Sequence, residues 1–535
     1  MHELELILVL LAGVAALAAL ARRIGVPYPI LLVLGGLMLA FIPGLPRVEL
    51  EPGIVFVLFL PPLLFSSAYF TSWRDFRANI RAIGLLAVGL VLVTVVAVAA
   101  VAHYVADLPW PAAFVLGAIV SPTDAIAATS IAQRLGVPRR IVTILEGESL
   151  LNDATGIVAY RVAAGVAAGA IAFSLSGAAL QFVVGAAGGI AVGLAAGWLM
   201  VRVFEFLDDT PVEIVASLLT PFAAYLAAEE GPHLLWHDLL GFDGEPFFSG
   251  VLAAVAAGLY VGRKGTALMS SGSRLEGVAV WNVVVFLLNG LAFGLIGLQL
   301  PYVIEGLGEY SYAELFLYAV AVSLAVILVR MAWVFPATYL PRWAFRSLRE
   351  RDPPPPWQSV TVVSWAGMRG VISLAAALAL PLQVPGRDLI LFLTFCVILA
   401  TLVLQGLSLP ALIRLLRLED DGSDEREEVK GRIKVAHAAL DRIEELAEED
   451  WVREDTADRV RGMYTYRRSR FIARYNGDDT DGLEERSIAF QRLTRELLAA
   501  QRRELLRLRD EGEIGDEAMH RIERDLDLEE SRLEL

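Results

Sequence analysis

Cysteine is nearly absent from this chain of 535 residues, because Cys396 is its single cysteine. One cysteine cannot form an intrachain disulfide bond or supply a cysteine-based metal site. Cys396 lies in an apolar run, where a buried structural thiol is the simplest interpretation. The C-terminal part also lacks the GxxxxGKS/T nucleotide loop and the HExxH metal motif. We therefore expect neither an enzyme nor a cofactor.

Charged residues are scarce in the first 418 residues and frequent after them. The whole chain is 56% hydrophobic with a mean hydropathy of +0.58, which is too apolar for a soluble protein. From residue 419 onward there are 34 acidic and 22 basic residues, so most of the net charge of −15 belongs to this tail. We predict a transmembrane domain at 1–418 and a cytoplasmic, charged helical tail at 419–535. The acidity of the tail argues against nucleic acid or an anionic membrane surface as its partner.

Long apolar runs predict an all-α polytopic membrane protein with about thirteen transmembrane helices, since about 20 apolar residues span a bilayer. The predicted limits are residues 4–21, 30–46, 53–70, 80–106, 111–133, 141–166, 177–203, 212–229, 247–262, 277–299, 312–340, 357–381 and 388–416. Arginine and lysine concentrate in every second short loop, which places those loops inside. This pattern puts the N-terminus outside and the tail in the cytoplasm of a cell-membrane protein.

Three carboxylates, an asparagine and an arginine interrupt the sixth span, whose residues 143–161 read TILEGESLLNDATGIVAYR. A charged side chain at the bilayer centre costs about 2.5–3.5 kcal/mol even on the lenient insertion scale, so such residues indicate function. Ser149 and Asp153 are four residues apart and share a helix face, which offers a hydroxyl and a carboxylate to an alkali cation. Glu148 lies on the neighbouring face with Asn152, and its charge needs a basic partner.

Spans 5 and 12 are predicted to be crossing, interrupted helices at matching positions in the two halves of the chain. Span 5 contains SPTDA, where Pro122 frees carbonyls of the preceding turn beside Thr123 and Asp124. Span 12 contains SWAGMRGVISLAAALALP, whose Arg369 is the best candidate for an ion pair with Glu148. The two spans run in opposite directions, so they predict two inverted repeats and a transporter.

Asp153 carries the functional hypothesis. A buried carboxyl holds either a proton or a cation, because desolvation favours the neutral acid and a bound cation favours the carboxylate. Asn152 adds no second titratable group, so the simplest exchange is one proton for one monovalent cation. Two structural alternatives stay open: Arg161 pairs with Asp153, or it reaches the outer interface. The rival functions are a cation channel, although no filter-like stretch is present, and a membrane-anchored sensor with a signalling tail.

The segments around these residues resemble the cation:proton antiporter family, in particular its bacterial sodium/proton exchangers. They read VSPTDAIAATSIAQRLGVPRRIVTILEGESLLNDATGIVAYRVA, SWAGMRGVISLAAALALP and PPLLFSSAYFTSWRDFRANIR. The resemblance covers roughly residues 5–415 and excludes the tail. It implies a homodimer whose core domain moves against a dimerisation domain in an elevator-like motion, exchanging sodium for protons in sodium and pH homeostasis.

The resemblance also implies which residues bind the cation. Thr123, Ser149 and Asp153 would contact it directly. Asp124 would be the crossing-region acid. Asn152 and Asp153 match the Asn-Asp motif of the electroneutral branch, which agrees with the one-to-one charge count.

Further roles follow for residues around this site. Glu148 and Arg369 would form a structural ion pair. Many relatives place an acid four residues after the second proline of PPLL, where this chain has Ser66. This difference implies a weaker or differently selective cation site that admits potassium. Lithium and potassium are the alternatives to sodium as the exchanged cation. Ser66 and Arg161 are candidates for lining the cavity.

Overall fold

The computed structural model describes the chain except for residues 1, 41–51, 171, 208, 234–247, 309, 419, 421, 477–481, 532 and 534–535. Throughout these described residues the regular structure is helical, as the apolar runs predict. The end of predicted span 2 and the first residue of predicted span 9 lie outside the described part. The chain divides into two compact units, Met1–Asp420 and Asp421–Leu535.

The first part of the larger unit consists of twelve helices among the residues described. They are α1 His2–Ile24, α2 Tyr28–Ala40, α3 Pro52–Phe70, α4 Trp73–Gly84, α5 Val91–Ala106, α6 Trp110–Val120, α7 Ala125–Arg134, α8 Arg139–Ala167, α9 Leu175–Phe204, α10 Thr210–Glu229, α11 Gly231–His233 and α12 Gly250–Lys264. A π-helical turn, Leu85–Leu90, joins α4 to α5 without a break in the helical path.

Eight more helices complete this unit, and four form the smaller one, again within the described residues. The larger unit continues with α13 Ser271–Leu298, α14 Leu300–Glu305, α15 Tyr312–Ala344, α16 Arg346–Arg351, α17 Trp357–Trp365, α18 Val371–Leu378, α19 Arg387–Ala400 and α20 Gly406–Leu415. The smaller unit contains α21 Ser423–Leu446, α22 Glu454–Asn476, α23 Leu483–Asp510 and α24 Asp516–Ser531.

Seven helical stretches of the described chain are long and apolar enough to cross a membrane. They are Trp73–Ala106, Trp110–Arg134, Leu175–Phe204, Thr210–Glu229, Ser271–Leu298, Tyr312–Ala344 and Arg387–Leu415. The shorter apolar helices Tyr28–Ala40 and Phe56–Phe70 add to them. The protein is therefore an all-α, largely membrane-embedded chain, and the count of thirteen crossings stays a prediction.

The helices of the larger unit pack in two groups. In one group, α12 lies against α3, α9 and α10. In the other, α6 packs between α5 and α8, while α15 contacts α5, α17 and α19. The second group contains both interrupted helices and therefore positions the candidate site.

The first interruption follows from Pro122. This residue has no amide hydrogen to continue the helical ladder, and α6 ends at Val120. The chain then runs without helix to Asp124, whose side chain accepts a hydrogen bond from the amide of Ile126 at 2.9 Å. This N-cap begins α7, because it satisfies one of the amides that a helix start leaves free.

The second interruption lies between α17 and α18, and it crosses the first. The amide of Asp124 donates a hydrogen bond to the carbonyl of Met368 at 2.8 Å. A Cβ atom on Gly370 would overlap the carboxylate of Asp124, so only glycine permits this approach. A Cβ atom on Gly156 of α8 would likewise overlap the ring of Pro122. Glycines therefore let the two extended segments and α8 meet closely.

The smaller unit has a small hydrophobic core of its own. Leu498 and Leu505 of α23 are buried against Met519 and Leu526 of α24. These residues recur at helical spacing, so one apolar stripe on each helix accounts for the pairing. Most of the remaining surface of these helices is charged and exposed.

Candidate functional site

Asp153 lies in the middle of α8, with 3% of its surface exposed. Among the described residues, its carboxylate has no hydrogen-bond or ion-pair partner. Asp124 lies close enough for its charge to act on Asp153. A buried carboxylate without a partner is energetically costly, so this position indicates an exchangeable occupant rather than a structural role.

Asn152 connects α8 to the first interrupted helix. Its side-chain nitrogen donates to the carbonyl oxygen of Thr123 at 3.1 Å and to the Thr123 hydroxyl at 2.8 Å. The other side-chain atom of Asn152, Oδ1, is buried and has no hydrogen-bond partner among the described residues. Asn152 therefore clamps the extended segment and leaves one buried oxygen unsatisfied beside Asp153.

Thr123 and Ser149 complete the contact between these two elements. The Thr123 hydroxyl donates to Oε1 of Glu148 at 2.9 Å. The amide of Ala125 donates to the Ser149 hydroxyl at 3.4 Å. The structure thus brings Thr123, Ser149 and Asn152 together around the junction of α8 with the extended segment. Hydroxyl, carbonyl and carboxylate oxygens are suitable ligands for an alkali cation.

The predicted ion pair between Glu148 and Arg369 is wrong. Glu148 pairs with Arg330 of α15, whose Nη2 lies 2.8 Å from Glu148 Oε2, while Nη1 binds Oε1. Both side chains are buried, with 1% of Glu148 and 0% of Arg330 exposed. Arg330 also donates to the carbonyl of Val363 at 2.9 Å. The fork of the guanidinium thus satisfies a carboxylate and a carbonyl together.

Arg369 instead satisfies backbone groups of the interrupted helices. Its Nε donates to the carbonyl of Val120 at 3.0 Å, and its Nη1 donates to the carbonyl of Gly367. Its own amide donates to the hydroxyl of Thr401 at 3.1 Å. Helix interruptions leave carbonyls without intrahelical partners, and a buried guanidinium has several donors for them. Arg330 already binds both carboxylate oxygens of Glu148, while Arg369 binds the backbone.

Arg330 is the residue that the sequence argument missed, although a signal was present. It is the only charged residue between Glu314 and Pro341 in an otherwise apolar helix. An arginine in such a helix requires an acidic partner by the same physical argument that singled out Glu148. Arg369 lies within a recognisable motif, whereas Arg330 stands alone in its helix, so the motif favoured Arg369 as the partner.

Arg161 and Ser66 lie in separate local contacts. Arg161 Nη2 is 2.6 Å from Oε2 of Glu229 on α10, so Arg161 forms an ion pair with an acid of the other helix group. The Ser66 hydroxyl donates to the carbonyl of Leu63 within α3 at 2.9 Å. Ser66 is buried with 3% exposure, and its hydroxyl is engaged by its own helix. The expectation that both residues line a cavity stays a prediction.

A family model for the transmembrane sodium/hydrogen exchangers matches residues 7–415. This match spans more than half of the chain and contains both interrupted helices and α8. The chain belongs to the sodium/hydrogen exchanger family. Family membership agrees with the resemblance of the motifs, and it identifies the protein as a member of a transporter family.

Curated members of this family are similar to the chain over much of its length. An uncharacterized Na(+)/H(+) exchanger from Mycobacterium tuberculosis is 35% identical over 538 residues, covering 99% of this chain and 96% of its own. The sodium, potassium, lithium and rubidium/H(+) antiporter of Bacillus subtilis is 34% identical over 430 residues. This match covers 77% of this chain and 61% of the Bacillus protein.

A solved structure shows a similar fold. The sodium proton antiporter MjNhaP1 from Methanocaldococcus jannaschii matches with a TM-score of 0.61 and 21% identity, covering 78% of this chain and 100% of its own. At this level of identity the similarity supports the helical architecture alone.

Proposed function

We propose that this protein is a secondary antiporter that exchanges a monovalent cation for protons across a cell membrane. The observation that carries the proposal is Asp153, a buried carboxylate without a partner in the described residues, next to Asn152, whose buried Oδ1 also has no hydrogen-bond partner there. The family supports cation/proton exchange as the activity.

Competition at Asp153 couples the two ions. Burial penalises an ionised carboxylate that has no counter-charge, so a proton or a cation must occupy the group for the buried state to be stable. One carboxylate cannot hold both comfortably. If only the occupied site changes its access from one side to the other, each cation that leaves is replaced by a proton.

The cation ligands are the Asp153 carboxylate, the Ser149 hydroxyl and an oxygen of Thr123. Asn152 holds Thr123 in place through its two donated hydrogen bonds and presents Oδ1 as a further oxygen. Asp124 lies near the site and caps the start of α7, where its side chain accepts a hydrogen bond from the amide of Ile126. Asp153 is the group that exchanges its proton in this proposal, which gives a one-to-one, electroneutral cycle with a monovalent cation.

The membrane organisation is proposed from the sequence pattern and the packing. Thirteen spans, an outside N-terminus and a cytoplasmic tail follow from the apolar runs and the alternation of basic loops. The two interrupted helices, which cross at Asp124 and Met368, support an inverted repeat. Movement of the helix group containing α6 and α8 against the group containing α9 and α12 is the elevator motion that we propose.

A homodimer is part of the same proposal. Large apolar side chains on α9 are exposed, including Val183 at 60%, Trp198 at 51% and Leu194 at 44%. In a membrane such a face contacts lipid or a second copy of the chain. The family resemblance favours a second copy.

Potassium is the second candidate cation. Ser66 replaces an acid that would add charge to the site, and a lower negative charge favours a more weakly hydrated cation. The Bacillus subtilis relative is named an antiporter of potassium, lithium and rubidium as well as sodium.

Proton flux into proteoliposomes tests the function, with sodium, lithium and potassium offered separately, with and without a membrane potential. The wild-type chain should acidify or alkalinise the lumen in strict counter-exchange, with a rate that saturates and does not respond to the potential. Asp153→Asn should abolish this flux while leaving the protein folded, because an amide carries neither a proton nor the cation's counter-charge. Asp388→Asn, which removes an acid with 55% side-chain exposure, is the matched control and should exchange normally. Normal exchange by Asp153→Asn, or a current that does not saturate as in a channel, would contradict the proposal.

A further inference from the structure

A cavity of about 370 Å³ lies in the larger unit where α1, α7 and α20 meet. Arg22 near the end of α1, Arg134 at the end of α7 and Arg414 on α20 all line it. None of the residues that we propose as cation ligands belongs to its lining. This arginine cavity is therefore separate from the site around Asp153.

The charge of the arginine cavity excludes a cation as its occupant. Among the described residues that line it, none carries a carboxylate. Within the same described part of the chain, these three guanidinium groups make no ion pair or side-chain hydrogen bond. The guanidinium of Arg134 reaches across to the turn at Gly25, where a Cβ atom would lie 3.8 Å from its Nη2. Three arginine side chains that line one cavity attract an anion, and their planar donors match phosphate oxygens in particular.

Apolar side chains lie beside the arginines. They favour a phospholipid headgroup over free phosphate as the source of the phosphate group. Ile24 lines the cavity with 54% of its surface exposed, while Leu20 is 46% exposed and Leu415 is 78% exposed. The side chain of Phe286 adds an aromatic wall. A free phosphate has no group to cover these side chains. A phospholipid covers them with its acyl chains while its headgroup meets the arginines.

We propose that the arginine cavity binds the phosphate-bearing headgroup of an anionic phospholipid. Arg22, Arg134 and Arg414 hold the phosphate, and Ile24 with its apolar neighbours contacts the acyl chains. The three arginines lie at or near helix ends that the basic-loop pattern places on the inner side, where basic pockets between membrane helices recognise such headgroups. A bound lipid connects α1 to the half-helix α7, which follows the crossing.

Lipid titration of the purified full-length protein, followed by native mass spectrometry, tests this proposal without any transport measurement. Phosphatidylglycerol, phosphatidylcholine and soluble glycerol phosphate are offered in separate arms. The wild-type chain should retain phosphatidylglycerol in preference to phosphatidylcholine. The variant Arg134→Gln/Arg414→Gln should bind phosphatidylglycerol about 25-fold more weakly, since each arginine near an anionic headgroup contributes about fivefold.

The control variant Arg349→Gln/Arg351→Gln removes two exposed arginines that are predicted to lie on the same side of the membrane. It should bind phosphatidylglycerol like the wild type. Arg22→Gln tests the third arginine independently and should weaken binding about fivefold. Equal retention by the wild type and the cavity variants would overturn the proposal, and so would saturable binding of glycerol phosphate with the same affinity as the lipid. Because binding is measured directly, these outcomes are independent of whether Asp153 exchanges ions.

Discussion

At the scale of single residues, the buried pair of Glu148 and Arg330 is the main stabilising contact of the site. It joins α8 to α15 and also fixes Thr123 through the hydroxyl that donates to Glu148. Taking two charges out of water is costly, and their mutual attraction compensates only when both are present with good geometry. The pair thus positions Thr123, one of the proposed cation ligands, and is not itself proposed as a ligand.

Removing one partner of this pair should destabilise the protein strongly. Glu148→Gln or Arg330→Leu should each cost about 3–5 kcal/mol, because each leaves an uncompensated buried charge. The double variant should lose less than the sum of the two single losses. Thermal or denaturant unfolding in detergent measures all three, with Arg349→Leu as an exposed control that should change stability by less than about 0.5 kcal/mol. Single variants as stable as the wild type would show that the pair does not hold the site together.

At the scale of elements, the crossing of the two interrupted helices determines the geometry of the site. Proline in one segment and glycine in the other make the interruptions, and the hydrogen bond from Asp124 to Met368 joins them. Arg369 then satisfies the carbonyl of Val120, so each segment compensates for the backbone groups that the other leaves free.

Gly370→Ala should disturb this crossing. The added methyl group overlaps the Asp124 carboxylate, and such overpacking costs about 1–3 kcal/mol in a well-packed interior. We expect a folded protein with lower stability and slower ion-dependent proton flux. Gly84→Ala is the matched control, since its Cβ would enter open space. Equal flux and equal melting temperature in the two variants would argue against a tight crossing.

A second contact between elements lies outside the membrane-spanning segments, at Asp352. This carboxylate binds Arg81 of α4 at 2.8 Å, and Arg140 of α8 and Arg342 of α15 at 2.7 Å each. Partial burial raises the pKa of Asp352, but the hydrogen bond and charge of Arg140 and the charges of Arg342 and Arg81 outweigh it, so the pKa lies below its ordinary value. Asp352 therefore ties three helices together in its ionised form.

The pH dependence of stability should report this contact. A carboxyl with a lowered pKa stabilises the folded state above its unfolded pKa of about 3.9, and the contribution is lost as the pH falls through the folded value. Asp352→Asn should cost roughly 1 kcal/mol near pH 7, because solvent screens these partly exposed pairs. Unfolding midpoints measured from pH 7 down to pH 3 should converge for the wild type and the variant. A difference that persists unchanged at pH 3 would rule out the ionised carboxylate as its cause.

At the scale of the whole molecule, the candidate site lies entirely within the larger unit, Met1–Asp420. All proposed cation ligands, the buried ion pair and both interrupted helices belong to it, and the family match ends at residue 415. The smaller unit has its own buried cluster. The residues proposed for transport and the hydrophobic cluster of the smaller unit therefore belong to different parts of the chain.

A chain that ends at Asp420 should keep ion-dependent proton flux, because no proposed ligand is lost. Flux in proteoliposomes, normalised to the amount of folded protein, measures this, and Asp153→Asn in the shortened chain provides the inactive control. Loss of flux from a well-folded shortened chain would show that the smaller unit takes part in transport.

The sequence by itself determined the helical class, the positions of the interruptions and the polar residues of α8. Proline and glycine act on their own stretch of backbone, and a charge within an apolar run is visible in the sequence before its partner is known. Ser149 and Asn152 could also be assigned to one helix, because they lie close together in a single apolar run. Only the tertiary structure decided that Arg330, 182 residues from Glu148, is its partner and that Arg369 serves backbone carbonyls. Pairing between distant residues depends on which helices pack side by side, and local spacing carries no information about that packing.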